Sequence, residues 1–261
     1  MKRTFAALVV LLSATATALA ASNKQPAPPG AFSGAPPQYT VFSTAELMRG
    51  FLALSVGSDL RVGAAPRGIR RFDRPIRAAV IASGSVDRTT AMRQVLGDFA
   101  AQVPSLRLSE TDDAATADVE VRLIDERDIA PALEAAFGTR IARTFINRTN
   151  PQCVTSVKSS PGGRILHSIS FIIVDKGNKV FFDCAYHELL HAFGLSNHDQ
   201  RNPWTTLNQR RMVGYLSVYD RALLTLLYDP RVTPGMTLSQ TRRRLPAVIK
   251  DLGLSGSPDG R

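Results

Sequence analysis

The chain has 261 residues, 44% of them hydrophobic and 21% charged, which excludes global disorder and leaves enough apolar material to bury the core of one domain. Its formal net charge is +10, yet arginine is scattered apart from Arg242-Arg243-Arg244, and no aromatic residues interleave with the basic ones as a nucleic-acid groove requires. The charge favours a soluble cationic surface, with an anionic envelope component as a possible partner.

Lys2 and Arg3, the apolar run from Phe5 to Leu12 and the small-residue site Ala18-Leu19-Ala20 predict a signal peptide over residues 1–21. An uncleaved N-terminal anchor is the alternative. The run is too short to span a bilayer and no later stretch is longer, so no stable membrane insertion is expected. Without Lys2 and Arg3 the net charge is +8, 30 basic residues against 22 acidic. Export would place the chain in the periplasm or outside the cell, where the two cysteines, Cys153 and Cys184, are most simply one disulfide. A thiolate ligand or inhibitor at Cys184 is the other reading. Residues 22–40, rich in Pro, Ala, Gly and Ser, predict a flexible linker.

A folded domain is expected over 41–252. Ser43-Thr44-Ala45-Glu46 reads as a capping box opening a helix through Leu54 that ends near Gly57. Ile76–Ala82 reads as a buried strand. Asp87 could cap a helix from Arg88 to about Val103, whose apolar positions Met92, Val95, Leu96 and Phe99 keep helical spacing. Strands are expected at Leu106–Leu108 and Ala117–Ile124, the second alternating as a half-buried strand does. Residues 128–146 give a mixed helical signal around Leu133 and Phe137. Cys153–Lys158 and Ile165–Val174 flank Pro161-Gly162-Gly163 and predict a hairpin. A helix follows from about Phe182 to Phe193. In the C-terminal third one clear helix runs from Val218 to Tyr228, stopped by Asp229-Pro230. Residues 253–261 read as a loose tail.

Chemistry concentrates in the helix after the hairpin, which carries His187-Glu188-Leu189-Leu190-His191. Residues four apart share a helix face, so both imidazoles can address one ion, and imidazole suits zinc. Glu188 stands at the edge of that face, placed to take a proton from a metal-bound water rather than to ligate. Gly194 can end the helix in a left-handed conformation and turn the chain back, bringing His198 or a neighbour into reach. Two helical ligands, a third beyond the turn and one water make a tetrahedral catalytic site.

This run resembles the zincin metallopeptidases, and with Gly194 the metzincin branch, whose pattern is His-Glu-x-x-His-x-x-Gly-x-x-His or Asp. The resemblance implies an α+β fold: a twisted mixed sheet with an edge hairpin, packed on an active-site helix, followed by a mainly helical C-terminal part. It covers roughly residues 75–230, with only the active-site motif specific. The stretch from Leu216 through Tyr219-Asp220 to Leu227-Tyr228 resembles the closing helix of matrix-metallopeptidase-like domains. The chain is also similar to an uncharacterised family of exported bacterial proteins with the same Tyr-Asp and Leu-Tyr-Asp-Pro sequences, many of whose members lack the paired histidines. The third-ligand position of the metzincin pattern falls here on Asn197, which leaves His198 or Asp199 to ligate, His198 being favoured. Met212 is the nearest candidate for the methionine turn, and Tyr215 and Tyr219 are candidates to stabilise an oxyanion; each could equally be a packing residue.

The expectation is therefore an exported zinc peptidase acting on a protein or peptide substrate, with Glu188 as general base and His187, His191 and His198 as ligands. Two other readings are a non-catalytic envelope binding protein with a structural or relic metal site, and a metal-dependent amidase acting on cell-wall peptide.

Overall fold

The structure, a computed structural model, describes residues 24–56, 68–140, 142–143, 146 and 151–256. The signal peptide, the expected helix end at Gly57 and the last residues of the tail lie outside these. The fold is α+β, with a five-stranded mixed sheet, a two-stranded antiparallel ribbon and helices on both faces of the larger sheet.

Residues 24–39, expected as a linker, hold the ribbon of β1 (Lys24–Gln25) and β2 (Gln38–Tyr39). Between these strands Phe32 approaches Gly214, and Pro36 accepts a hydrogen bond from Tyr215 Oη at 2.7 Å. Helix α1 (Thr44–Ser55) begins with the expected capping box: Ser43 Oγ accepts from the Glu46 N–H, and Glu46 Oε2 accepts from the Ser43 N–H at 2.8 Å.

Strand β3 (Ile76–Ala82) leads into α2 (Thr89–Gln102), which buries Met92, Val95, Leu96 and Phe99. The next strand, β4, spans Leu108–Glu110 instead of 106–108. Pro104 opens a 3-10 turn over Pro104–Leu106 and Arg107 closes it in a left-handed conformation, so pairing starts two residues late. Strand β5 (Val119–Ile124) is followed by α3 (Ile129–Phe137), which ends at Gly138 with φ of 78°. The hairpin of β6 (Cys153–Ser159) and β7 (Ile165–Ile173) comes next.

The sheet order is β4-β3-β5-β7-β6, parallel except for β6, which runs antiparallel at the edge. Alternation along β5 divides its side chains. Val119, Val121 and Leu123 enter the main core with α2, while Ile124 joins Phe171, Ile173 and Leu133 of α3 on the other face.

Helix α4 (Gly177–Ala192) packs on β6 and β7 and begins five residues before the expected Phe182. Its first three residues are polar and exposed, so they carry no apolar periodicity to signal a helix. Cys184 therefore lies two turns in, not in the first turn. Helices α5 (Val218–Leu227) and α6 (Leu238–Asp251) complete the fold. Sequence reading missed α6. It has a capping box of Thr237 and Gln240 and buries Thr241, Leu245, Val248 and Ile249 at helical spacing, but Arg242-Arg243-Arg244 and an interior Pro246 hide the pattern.

The two ends of the domain are tied together at Arg71. Its buried guanidinium donates through Nη1 to the carbonyls of Leu227, Asp229 and Val232 and lies over the Tyr228 ring. Nearby, Ile69 accepts from Gly235 and donates to Met236, while Gly163 of the hairpin turn is so close that a Cβ would stand 2.3 Å from the Ile69 carbonyl. Beyond α6, the Gly256 N–H donates to the Phe42 carbonyl. Among the described residues no helix is long and apolar enough to cross a membrane.

Candidate metal centre

Two contacts seat α4 on the sheet, and a third links the strands beneath it. Ser168 Oγ donates to the Ala192 carbonyl at 3.0 Å, Thr155 Oγ1 lies 3.0 Å from the Glu188 carbonyl, and Thr155 and Ser170 hydroxyls meet at 2.7 Å. The hydroxyls of Ser168 and Thr155 let these strand residues hydrogen-bond the helix carbonyls, which apolar side chains could not do. The disulfide Cys153–Cys184, with Cα atoms 5.8 Å apart, adds a covalent tie between β6 and α4. This pairing removes the reading of Cys184 as a thiolate ligand.

The helix stops at Gly194, whose φ is 112° and whose added Cβ would stand 2.2 Å from the Arg70 carbonyl oxygen. Only glycine meets both demands. The chain then docks on the end of α1. The N–H groups of Ser196 and Asn197 donate to the Leu54 carbonyl, and Asn197 Nδ2 donates to Ala53 at 2.9 Å and Val56 at 3.0 Å. Asn197 thus satisfies the carbonyls that α1 leaves open at its C-terminus. Its side chain is committed away from the histidines, and the next residue, His198, faces them.

The Nε2 atoms of His187, His191 and His198 form a triangle with sides of 3.2, 3.1 and 3.1 Å. On the far side of two rings, His187 Nδ1 lies 3.1 Å from the Thr206 carbonyl and His191 Nδ1 lies 2.5 Å from the Leu195 carbonyl. A carbonyl can only accept, so both Nδ1 atoms carry the proton and both Nε2 atoms present bare lone pairs. Burial, followed by the neighbouring histidine, pushes His187 down to about 3, and burial also holds His191 well below the usual histidine range. Both rings are therefore neutral at ordinary pH. Two lone pairs 3.2 Å apart with no proton between them repel unless a cation sits among them. A tetrahedral ion at roughly 2.0 Å from each nitrogen requires its ligand atoms about 3.3 Å apart, which these sides approach. The residues present fit a cation of that size. Among the described residues this is the one group of three or more such side chains able to hold an ion.

Glu188, next to His187 on α4, has 4% of its surface exposed. Its Oε2 is buried without a hydrogen-bond partner, and burial is the main cause that raises the carboxyl to about 8. In the metal-free protein burial thus favours the protonated form of this acid.

The other sequence candidates lie elsewhere. Asp199 Oδ1 accepts from the Arg201 N–H, and its carboxylate is outside the histidine cluster. Tyr215 and Tyr219 direct their hydroxyls to the carbonyls of Pro36 and Glu46. Met212 is half-buried, and its neighbour Val213 donates its N–H to Asp183 Oδ1 of α4. His167, the fourth histidine, pairs with Glu120 at 3.1 Å. Thr206 and Asp220 were not anticipated. The advance signals for Asp220 are Ser217-x-x-Asp220, an ordinary helix-cap pattern, and the Tyr219-Asp220 pair of the family resemblance, neither of which points to the loop at 205–206.

Residues 44–247 match the family described as "Protein of unknown function (DUF2927)". No curated protein and no solved structure is significantly similar to the chain.

Proposed function

We propose that this chain, which belongs to the DUF2927 family, is an exported zinc-dependent peptidase of zincin type, its metal held by His187, His191 and His198. The observation that carries the reading is the convergence of three Nε2 atoms, two of them fixed by carbonyl acceptors as lone-pair donors. The antiparallel edge hairpin followed by α4 also agrees with what the zincin resemblance implies.

Zinc bound there would lower the pKa of its water toward neutrality and polarise the scissile carbonyl. Glu188 takes the proton from the attacking water and later delivers it to the leaving amine. Its buried, elevated carboxyl suits both tasks. Burial keeps His187 and His191 neutral, and donation from their outer nitrogens to the backbone holds the rings oriented. The Cys153–Cys184 bridge suits an oxidising compartment, consistent with a periplasmic or secreted protein.

The test is metal analysis and cleavage of a casein-like substrate by wild type and by Glu188→Gln. Wild type should hold one zinc and cleave; Glu188→Gln should keep the zinc and lose cleavage by ~10²-fold or more. Zinc-loaded wild type that cleaves no protein or peptide would leave a binding protein with a structural site.

A further inference from the structure

Behind the histidines stands a carboxylate that the proposed chemistry does not use. Asp220, in the first turn of α5, has no exposed surface. Its Oδ1 accepts from Thr205 Oγ1 at 2.5 Å, and its Oδ2 accepts from the Thr206 N–H at 2.8 Å. Ser217 Oγ lies 2.8 Å from the same Oδ2 and accepts from the Asp220 N–H at 3.0 Å. A helix cap needs only the last of these contacts. Two of the others, from Thr205 Oγ1 and the Thr206 N–H, reach across to a different segment, the loop at 205–206.

That loop supplies the acceptor for His187. The Thr206 N–H binds Asp220, while the Thr206 carbonyl faces His187 Nδ1 at 3.1 Å. Thr205 is itself fixed twice, since its Oγ1 also accepts from the Leu207 N–H. The result is a continuous chain: buried carboxylate, peptide N–H, the same residue's carbonyl, imidazole Nδ1–H, and Nε2 at the centre of the triad. Ionising a carboxyl buried at one end is costly, and hydrogen bonds from a peptide N–H and two hydroxyl groups offset part of that cost.

We propose that Asp220 is a positioning residue for the metal centre: by holding Thr206 it sets the tautomer and orientation of His187, and so the affinity of the site for zinc. This rests on the zinc centre proposed above, but it concerns a residue with no contact to the ion or to substrate. Outer groups that orient a ligating histidine typically change metal affinity by ~10–100-fold when removed. Asp220→Asn keeps the shape but removes the charge and leaves one acceptor oxygen for the three donors that converge there, Thr205 Oγ1, the Thr206 N–H and Ser217 Oγ, so the hold on the loop weakens.

The experiment compares wild type, Asp220→Asn and the control Leu245→Ala, whose site is buried in α6 away from the triad. Zinc affinity is measured by competition with a chromophoric chelator, and the His187 tautomer by nitrogen-15 NMR of the metal-free protein. Asp220→Asn should lose ~10-fold or more in affinity and show a mixed His187 tautomer, while Leu245→Ala should lose stability with affinity unchanged. Unchanged affinity and an unchanged Nδ1–H tautomer in folded Asp220→Asn overturn the inference. No zinc bound by wild type overturns instead the centre on which it rests. Should Asp220→Asn fail to fold, Thr205→Val removes one donor to the carboxylate and Thr205→Ser retains it. A loss of affinity in the first that the second restores supports the role; equal affinity in both counts against it.

Discussion

Reducing or deleting the Cys153–Cys184 bridge should cost the protein a large part of its stability. The bridge closes a loop with a sequence separation of 31 residues. The chain-entropy relation gives ~3.7 kcal/mol at 25 °C for a loop of that length. For a domain of this size each kcal/mol moves the melting temperature by roughly 2–4 °C, so the drop should be about 7–15 °C. The assay is thermal melting of metal-free protein in chelator, for wild type with and without reductant and for the Cys153→Ala/Cys184→Ala double variant. Chelator removes any difference in zinc binding, and the double variant leaves no stray thiol. Both routes should converge on one value. A drop under about 2 °C by either would refute the reasoning, because packing between β6 and α4 would then hold the loop closed without the bond.

Gly194→Ala places a Cβ 2.2 Å from the Arg70 carbonyl at a φ of 112°. Urea denaturation should show a loss of about 3 kcal/mol or more, and a loss below ~1 kcal/mol would mean that the turn relaxes easily. Asn197→Ala, which strips two hydrogen bonds from the end of α1, should cost roughly 1–3 kcal/mol yet leave zinc affinity within a few-fold of wild type. In a His198→Ala background, Asn197→Asp should fail to restore zinc binding in a metal titration, since position 197 faces α1; restored binding would reassign the third ligand. Asp183 is raised to about 6, chiefly by burial. A raised carboxyl supports stability below its unfolded pKa and withdraws that support as pH rises through the folded value. Metal-free wild type should therefore lose about 1–2 kcal/mol relative to Asp183→Asn between pH 4 and pH 7, the half-burial of the group limiting the effect. Parallel stability curves for the two proteins across that range would contradict it.

The elements that sequence reading located best are those whose periodicity is enforced by burial on one face, such as β3, α2, β5 and the hairpin. The boundaries it misplaced lie where burial is absent or local geometry overrides pattern. The start of α4 is exposed and polar, β4 waits for the left-handed Arg107, and α6 carries three arginines and a proline over a narrow apolar stripe. At the site, the His187–His191 pair was legible because helical spacing alone brings residues four apart together. The choice between His198 and Asp199 depended on which way Asn197 turns, and that is decided by the open carbonyls of α1, some 140 residues away in the chain. The reach of Asp220 to the loop was illegible for the same reason: its partners at 205 and 206 are neighbours only after folding.

The Arg71 clamp bears on how the molecule comes into being. Its acceptors at Leu227, Asp229 and Val232 leave the ribosome long after Arg71 itself. A nascent chain that has emerged only as far as His198 already contains the whole histidine triad but lacks Thr206 and every acceptor of that guanidinium nitrogen. A chain truncated before Leu227 therefore carries all three histidines without any of the carbonyls that hold Arg71 Nη1.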